Sequence, residues 1–471
     1  MLYRIFLLSL TLWGVRPAHA QSVDEGEMEL RSSIFLHQDL QKGSGPSAGV
    51  AYESYTSASR PAFGDGLYSS NALFKGAWQG KRRVGSSFSF VGDFAGIYSA
   101  SDQGLYPLIK EAYFKREWSQ GSLRLGVDNT SWTSFEDEWR LGLYRPRFMY
   151  NKLSGGQGGL LGFFMESKGF TVGFLPVFVP ELGPHFENND GELTSQNPWF
   201  GQLPKTINYN GSEAPIRYKV KIPPVKDIVL KPGLVASWQK DLNKNYSMRW
   251  SGAYKPMPQL LLNFPSDGRF VIGNTDQYFE AEVNPWVAYH GVVSTDHQVQ
   301  NDSKTLRARI SLAHEDPQVP ERPKTWVTQE IGPATFVSTR FETEPQAFGN
   351  TKIFLSQFKV WGGDRPDEGR YASDESYFES RQFFREAYGL GFETLWPLKF
   401  RALSSVSVIY DRIQEGGALL ARNAISLKDN LQLYLNLEFL GLLQENNPTP
   451  TGFLSRYRAN DRAELGVTYA F

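Results

Sequence analysis

Basic side chains lie between regularly spaced apolar residues in three short stretches of the sequence. The basic members are Arg217, Lys219 and Lys221 in one stretch, Arg307 and Arg309 in another, and Arg124 in a third. They alternate with apolar residues, and side chains alternate across a β-strand, so each stretch predicts a strand with one charged face. If such strands enclose a water-filled channel, rows of Arg and Lys along its inner wall favour anions. These six are therefore our candidate pore-lining residues. The alternative is a solvated face neutralised by lumen acids such as Glu464 and Asp128.

Histidines are the other residues that could do chemistry, since imidazole binds metals and transfers protons near neutral pH. Beyond residue 20 they are His37, His185, His290, His297 and His314. None has the spacing of a helical zinc site, and the sequence has no Cys and no Gly-rich phosphate loop. A Ser/His/Asp set that assembles only in the fold would leave no such motif. We predict no catalytic residue, no metal site and no cofactor, and therefore a protein that is not an enzyme.

The first twenty residues have the organisation of a secretory signal peptide. Arg4 precedes the apolar stretch 5–13, and Ala18-His19-Ala20 has the small-x-small pattern of a cleavage site. The apolar stretch is too short for a spanning helix, which needs about 20 residues. Cleavage before Gln21 removes Arg4 and Arg16, which leaves 47 basic and 50 acidic residues and a formal charge of −3. That near balance argues against a nucleic-acid partner.

Strand-like alternation continues along most of the chain, with almost no helical periodicity. Further strand candidates are 28–37, 48–56, 71–79, 84–95, 107–118, 158–167, 169–178, 229–240, 245–254, 277–291, 351–361, 383–395, 399–412, 417–425 and 431–441. A tilted strand of about ten alternating residues crosses the hydrocarbon layer of a membrane. We predict an all-β fold, a transmembrane antiparallel β-barrel of about 18 strands (16–20), formed by residues 21–471 as one domain. A soluble β-sandwich also alternates, but aromatic ends of the apolar faces, such as Trp118, favour the barrel.

The last eleven residues form a clear amphipathic strand. Ala463, Leu465, Val467, Tyr469 and Phe471 share its apolar face. The terminus Glu464-x-Gly466-x-x-Tyr469-x-Phe471 resembles the insertion signal of bacterial outer-membrane β-barrels, with Gly466, Tyr469 and Phe471 at the matching positions. The hairpin Glu111-Ala112-Tyr113 followed by Leu123-Arg124-Leu125-Gly126 is similar to one in porin-like barrels. Barrels of the alginate-export type are a weaker second resemblance.

This resemblance implies a place in the cell outer membrane, with the barrel-insertion machinery, outer-membrane lipid and lipopolysaccharide as partners. The C-terminal strand of such barrels ends in the periplasm, where the turns are short, and the long loops lie outside. Counting back from Phe471, we expect 442–460 and 363–369 outside. The connections near 428–430 and 396–398 are then periplasmic.

The most distinctive non-strand segment is 179–214, and loops of this length are usually functional. Its Trp199 and Phe200 would be costly to expose to water, so we favour a constriction folded into the lumen over an external cap. The acidic run 187–192 has oxygen ligands and a Gly turn but lacks the ligand spacing of an EF-hand loop. We expect a solvated turn there.

Three functions fit a wide polar lumen. The first is an outer-membrane channel that passes hydrophilic solutes through a partly basic lumen. The second is a dedicated polysaccharide-export barrel, which needs a continuous basic track, stacking aromatics and periplasmic export partners. The third is a barrel plugged by residues 179–214 that acts as an adhesin, scaffold or rim enzyme. The first requires only a wide polar lumen with a constriction, and it is the function we predict.

Overall fold

The computed structural model describes residues 45–56, 69–83, 88–201, 203, 205–209, 212–221, 223–265, 269–272, 277–318, 326–345, 350–364, 378–396, 401–443 and 452–471. Within them, eighteen strands form one closed antiparallel barrel. This confirms the predicted fold class and the predicted strand number. The predicted signal peptide 1–20 and strand candidate 28–37 lie outside the described residues.

The strands are numbered in chain order. They are β1 (Gly45–Thr56), β2 (Ser69–Arg83), β3 (Phe88–Ser99), β4 (Gly104–Trp118), β5 (Gly121–Asp128), β6 (Leu160–Ser167), β7 (Phe170–Leu175), β8 (Glu187–Asn189), β9 (Glu192–Thr194), β10 (Thr206–Tyr209), β11 (Ser212–Val220), β12 (Gly233–Asn243), β13 (Tyr246–Pro256), β14 (Leu261–Pro265), β15 (Arg269–Ile272), β16 (Gln277–Trp286), β17 (Tyr289–Gln300), β18 (Leu306–Gln318), β19 (Trp326–Thr328), β20 (Ile331–Thr343), β21 (Thr351–Asp364), β22 (Glu386–Trp396), β23 (Arg401–Asp411), β24 (Gly416–Lys428), β25 (Leu431–Leu442) and β26 (Asp461–Ala470). The barrel comprises β1–β7, β12, β13, β17, β18 and β20–β26. Three short helices are α1 (Phe135–Trp139), α2 (Val225–Val229) and α3 (Phe453–Tyr457).

The barrel closes where β1 pairs with β26, from Ser47 opposite Ala470 to Thr56 opposite Asp461. Tyr52 lies opposite Leu465, and these two outward side chains are 56% and 61% exposed. Closure matters because hydrocarbon offers no partner for the backbone groups of an open sheet edge. The predicted C-terminal strand is therefore one half of the seam that completes the barrel.

The outward side chains of the barrel are mostly large and apolar, whereas the inward ones are mostly small, polar or charged. On β5, Leu123 and Leu125 point outward and are exposed, while Arg124 and Asp128 point inward. This exterior is typical of a barrel surrounded by lipid. Among the described residues, no helix has the length and apolar character needed to span a membrane.

Two groups of connections lie at opposite ends of the barrel. The turn between β24 and β25, the end of β22 and the start of β23 lie at the end that carries Phe471. Residue 443, segment 452–460 and segment 378–385 lie at the other end, which we call the mouth. For the described residues, the antiparallel register agrees with the order of ends expected from the sequence; residues 365–369, 397–398 and 444–451 of the expected connections lie outside the described residues.

A second, six-stranded sheet is built from the connections at the mouth rather than from the barrel wall. It contains β10, β11, β14, β15, β16 and β19, and β11 pairs in parallel with β16. The predicted barrel strand around Ile216 is thus wrong in its placement, because it is β11 of this sheet. The candidate 277–291 likewise divides into β16 of the second sheet and the first residues of barrel strand β17.

Candidate functional site

The segment 129–159 between β5 and β6, which we call the inward segment, enters the lumen. It carries α1 and a run of buried aromatic and aliphatic side chains that includes Trp132, Phe135, Trp139 and Tyr144. These side chains cannot face lipid from inside a barrel, so they bury themselves against inward-facing wall residues such as Phe358. The constriction that the sequence placed at 179–214 is therefore formed by a different segment.

Trp139 fixes the inward segment to the wall formed by β20 and β21. Its ring stacks on Phe358 with centroids 5.1 Å apart, and its indole N–H donates to the Ser338 hydroxyl at 2.9 Å. A buried Trp combines a large apolar surface with one donor that must be satisfied. The Ser338 hydroxyl supplies the acceptor, so the buried indole N–H of Trp139 is satisfied.

Polar bonds attach the beginning of the inward segment to β13 and β17. The Asp296 carboxylate accepts from the Thr133 hydroxyl at 2.9 Å and from the Ser134 amide at 3.0 Å. The Ser251 hydroxyl donates to the Trp132 carbonyl at 2.5 Å. These bonds satisfy backbone and side-chain polar groups that the packing shields from solvent.

Residues 150 and 151 of the inward segment reach the opposite side of the lumen, beside the seam. The Tyr150 hydroxyl donates to Glu53 of β1, and the Asn151 amide donates to Glu438 of β25 at 2.7 Å. Since residues 133 and 134 are bonded to β17 and residues 150 and 151 to β1 and β25, the segment crosses the lumen before it returns to β6. Any solute that passes must pass beside it.

A buried ionic network lies on the inner face of the seam. Arg462 donates to Glu53 at 2.9 Å, to Glu438 at 3.2 Å and to Glu464 at 2.7 Å, and Lys75 also pairs with Glu464. All five side chains are nearly inaccessible to water. The network joins β1, β2, β25 and β26 through charge-assisted hydrogen bonds.

Residues 150–155 and the seam wall enclose a small polar cavity. Its lining includes Lys75, Arg422, Asn436, Arg462 and Glu464. The charged lining consists of three basic side chains and the Glu464 carboxylate, and two further carboxylates, Glu53 and Glu438, bind Arg462.

A second ionic contact holds α1 on the opposite side. Glu138 accepts from Arg309 of β18 and from Arg340 of β20, each at 3.0 Å. Arg340 also donates to Glu342 at 2.5 Å. The candidate residue Arg309 thus faces the lumen and pairs with the inward segment.

Glu136 is the fully buried carboxylate of α1. It accepts from the backbone amides of Tyr144 at 2.7 Å and Arg145 at 3.0 Å. Burial raises the pKa of the Glu136 carboxyl, and the neighbouring Arg145 guanidinium opposes that shift. Glu136 therefore fixes the turn that follows α1, although burial of its charge is unfavourable.

Side chains of the inward segment also bind the segments that form the mouth. Arg147 binds both oxygens of Glu181, at 2.7 and 3.0 Å, and donates to the Arg381 carbonyl at 2.8 Å. Lys152 donates to Glu379 at 2.6 Å. Arg381 in turn makes a two-pronged pair with Glu315 of β18, with both bonds at 2.9 Å. The mouth segments and the inward segment therefore form one packed unit.

Trp199, which suggested a constriction in the sequence, is fully buried at the mouth. Its ring stacks on Phe453 with centroids 6.2 Å apart and packs against Tyr457 of α3 at 5.3 Å. These contacts place Trp199 against α3 at the mouth, and the neighbouring Asn197 amide donates to the Tyr150 carbonyl of the inward segment at 3.2 Å. The hairpin of β8 and β9, which contains the acidic run 187–192, is largely exposed, as expected for a solvated turn.

The six predicted pore-lining residues divide into two groups. Arg124, Arg307 and Arg309 point into the barrel, and Arg124 lies 3.2 Å from Asp128. Arg217, Lys219 and Lys221 belong to or directly follow β11 of the mouth sheet, where Arg217 and Lys219 lie opposite Glu280 and Glu282 of β16. They do not line the barrel wall, because the alternation that predicted a lipid-crossing strand instead serves a small sheet with one packed face. Arg340 and Arg462 have equally prominent lumen contacts and were missed.

The described residues, which exclude His37, contain no group of three or more metal-ligating side chains that could hold an ion. His290 lies 2.5 Å from Glu315 and 3.2 Å from Lys255, within a buried cluster. Gly45-Pro46-Ser47-Ala48-Gly49 matches the spacing around a nucleophilic serine, but it lies inside extended strand β1. A nucleophilic serine of that kind needs a strand-to-helix turn.

No family model matches the sequence, and no curated protein matches it. Among solved structures, Pseudomonas aeruginosa OpdQ is similar at a TM-score of 0.45 and 10% identity, over 91% of this chain and 97% of that one. Acinetobacter baumannii OccAB2 is similar at 0.41 and 12% identity, over 91% and 98%. Salmonella typhi OmpF, solved in complex with daunomycin, is similar at 0.37 and 11% identity, over 90% and 96%.

Proposed function

We propose that this protein is an outer-membrane channel that passes small hydrophilic solutes beside the inward segment. The observation that carries the proposal is the closed barrel of eighteen strands, apolar outside and, apart from the wall packed against the inward segment, mostly polar or charged inside. Barrels of this strand number enclose a lumen wide enough for water. The packed inward segment favours a narrow passage over a wide one.

Water access supports this proposal at the end that carries Phe471. Glu166 points into the barrel there and its side chain is 48% exposed, whereas Asp128, on the neighbouring strand beside the inward segment, is 2% exposed. Water therefore reaches the inner face of the wall at that rim, whereas the wall beside the inward segment is shielded from water. The same proposal includes three expectations from the sequence. Residues 1–20 act as a secretory leader, the terminus at Phe471 acts as an insertion signal, and lipopolysaccharide and the insertion machinery are partners.

The described wall does not favour a polysaccharide exporter. A polyanion would need a continuous basic track, but Arg124, Arg309 and Arg462 are each paired with carboxylates. This pairing is the neutralised lumen considered as an alternative from the sequence. A passage for small solutes requires no such track.

Swelling of proteoliposomes in sugar solutions tests this function. We expect swelling in arabinose, and slower swelling in the trisaccharide raffinose, because the inward segment limits the cross-section. Liposomes prepared with heat-denatured protein are the control. Swelling in arabinose no faster than in that control would contradict the channel.

A further inference from the structure

Two arginines lie directly opposite each other on neighbouring barrel strands. Arg309 of β18 is the register partner of Arg340 of β20, and both side chains face the lumen. Like charges placed directly opposite on a sheet repel each other and destabilise the pair. An anion between them removes that repulsion, so the pair is suited to hold one.

The inward segment supplies such an anion. One oxygen of Glu138 accepts from Arg309 and the other accepts from Arg340, both at 3.0 Å. The carboxylate thus joins the two guanidinium groups, one oxygen to each. The three side chains are only partly buried, with 21%, 15% and 13% exposed for Arg309, Arg340 and Glu138.

The wall holds Arg340 in place without help from Glu138. Arg340 donates to Glu342 of the same strand at 2.5 Å, and its guanidinium lies 4.1 Å from the centre of the Phe354 ring. Removing Glu138 would therefore leave a positioned cationic group. Glu138 itself belongs to a five-residue helix in the lumen and not to a wall strand.

We propose that Arg309 and Arg340 form a binding site for a small carboxylate, and that Glu138 occupies this site as an internal ligand. A soluble monocarboxylate binds by replacing Glu138 and makes the same two hydrogen bonds. The inference rests on the proposed function, since the solute must reach the lumen. It adds a solute class and a contact that the solute must break.

Fluoroacetate is a suitable probe, because its ¹⁹F signal reports binding to the full-length barrel in detergent micelles whether or not the barrel conducts. We expect Glu138→Gln to bind fluoroacetate about tenfold more tightly than the unaltered protein. If Glu138 fills the site about nine-tenths of the time, only about one-tenth of the unaltered protein can bind fluoroacetate, and its apparent affinity is about tenfold lower. Arg309→Gln and Arg340→Gln should abolish the binding. Asp137→Asn, which alters the neighbouring carboxylate, and Arg116→Gln, which alters an exposed arginine, should leave it unchanged.

Equal affinity in Glu138→Gln and the unaltered protein would overturn the proposal, as would binding retained in Arg309→Gln. The gain in Glu138→Gln keeps the test decisive even if an arginine variant fails to fold. Conductance without fluoroacetate binding would refute this site and leave the channel standing. Fluoroacetate binding without conductance would refute the channel and leave the site.

Discussion

Arg462 of the last strand donates from Nε to the Glu53 carboxylate of the first strand at 2.9 Å. This bond crosses the seam from the lumen side, where the same guanidinium also binds Glu438 and Glu464. Charge-assisted bonds of this kind supplement the backbone ladder between β1 and β26. The seam is therefore held by side chains as well as by the sheet.

Replacing Arg462 with Met should destabilise the barrel by about 3–5 kcal/mol, because three buried carboxylates lose their shared cation. Thermal unfolding in detergent, followed by the loss of heat-modifiable migration, measures the effect. Lys244→Met removes an exposed cation paired with Asp302 and should change the unfolding temperature far less. Equal effects of the two variants would show that the seam network does not stabilise closure.

Trp139→Ala should loosen the inward segment. Removing a fully packed Trp costs about 3–5 kcal/mol in a protein core and here also leaves the Ser338 hydroxyl without its donor. Single-channel steps should become larger and noisier because the segment no longer holds to β20 and β21. Trp250→Ala, which removes an outward-facing Trp, is the matched control. Unchanged steps in Trp139→Ala would show that this anchor does not set the passage.

Charge selectivity should follow the corrected positions of the basic residues. Changing Arg307 and Arg309 to Gln should lower the ratio of anion to cation permeability by roughly twofold, because both side chains face the lumen. The same change at Lys219 and Lys221 should leave the reversal potential unchanged, because these residues lie at the mouth. The opposite pattern in a salt gradient would contradict the assignment of pore-lining residues.

Arg147→Gln should release the mouth segments from the inward segment. The substitution leaves the buried Glu181 carboxylate without its two-pronged partner, at a cost of roughly 3 kcal/mol. Protease added to intact cells should then cut near residue 181 faster than in the unaltered protein. Lys205→Gln, which breaks the exposed pair with Glu192, is the control. Equal cleavage rates in the two variants would contradict the conclusion that Arg147 holds the mouth segments to the inward segment.

Glu136→Gln should stabilise the protein at neutral pH. Burial raises the pKa of this carboxyl in the folded state, so its contribution to stability is present below the pKa of the unfolded chain and is lost as pH rises through the folded value. The amide oxygen of Gln can still accept from the Tyr144 and Arg145 amides. The unfolding temperature of the variant should exceed that of the unaltered protein at pH 7 and approach it at pH 4. A lower unfolding temperature at pH 7 would contradict this account.

Alternation alone predicted the barrel well, because lipid outside and water inside impose opposite polarities on successive residues. The strand β26 shows this pattern along its whole length, whereas β20 was missed. Phe336 of β20 faces inward against the packed inward segment, so both faces of that strand carry apolar residues. The pattern of β11 was misassigned because a small sheet with one packed face alternates in the same way.

The candidate site was harder to predict because it depends on contacts between distant segments. The inward segment has no motif, and its Trp and Phe residues resemble those of any buried loop. Arg340 and Arg462 stand out only when the structure brings Glu138 and Glu53 to them. Trp199 and Phe200 did indicate a packed region, but aromatic content does not distinguish a cap from a constriction.

The most direct test of the channel is single-channel recording in planar bilayers. The intact barrel is compared with a variant in which residues 131–158 are replaced by a short Gly/Ser linker. We predict discrete conductance steps from the intact protein and steps several times larger from the variant, because the inward segment narrows but does not seal the lumen. No conductance from the intact protein, with conductance only after the replacement, would contradict an open channel and show that the inward segment is a plug.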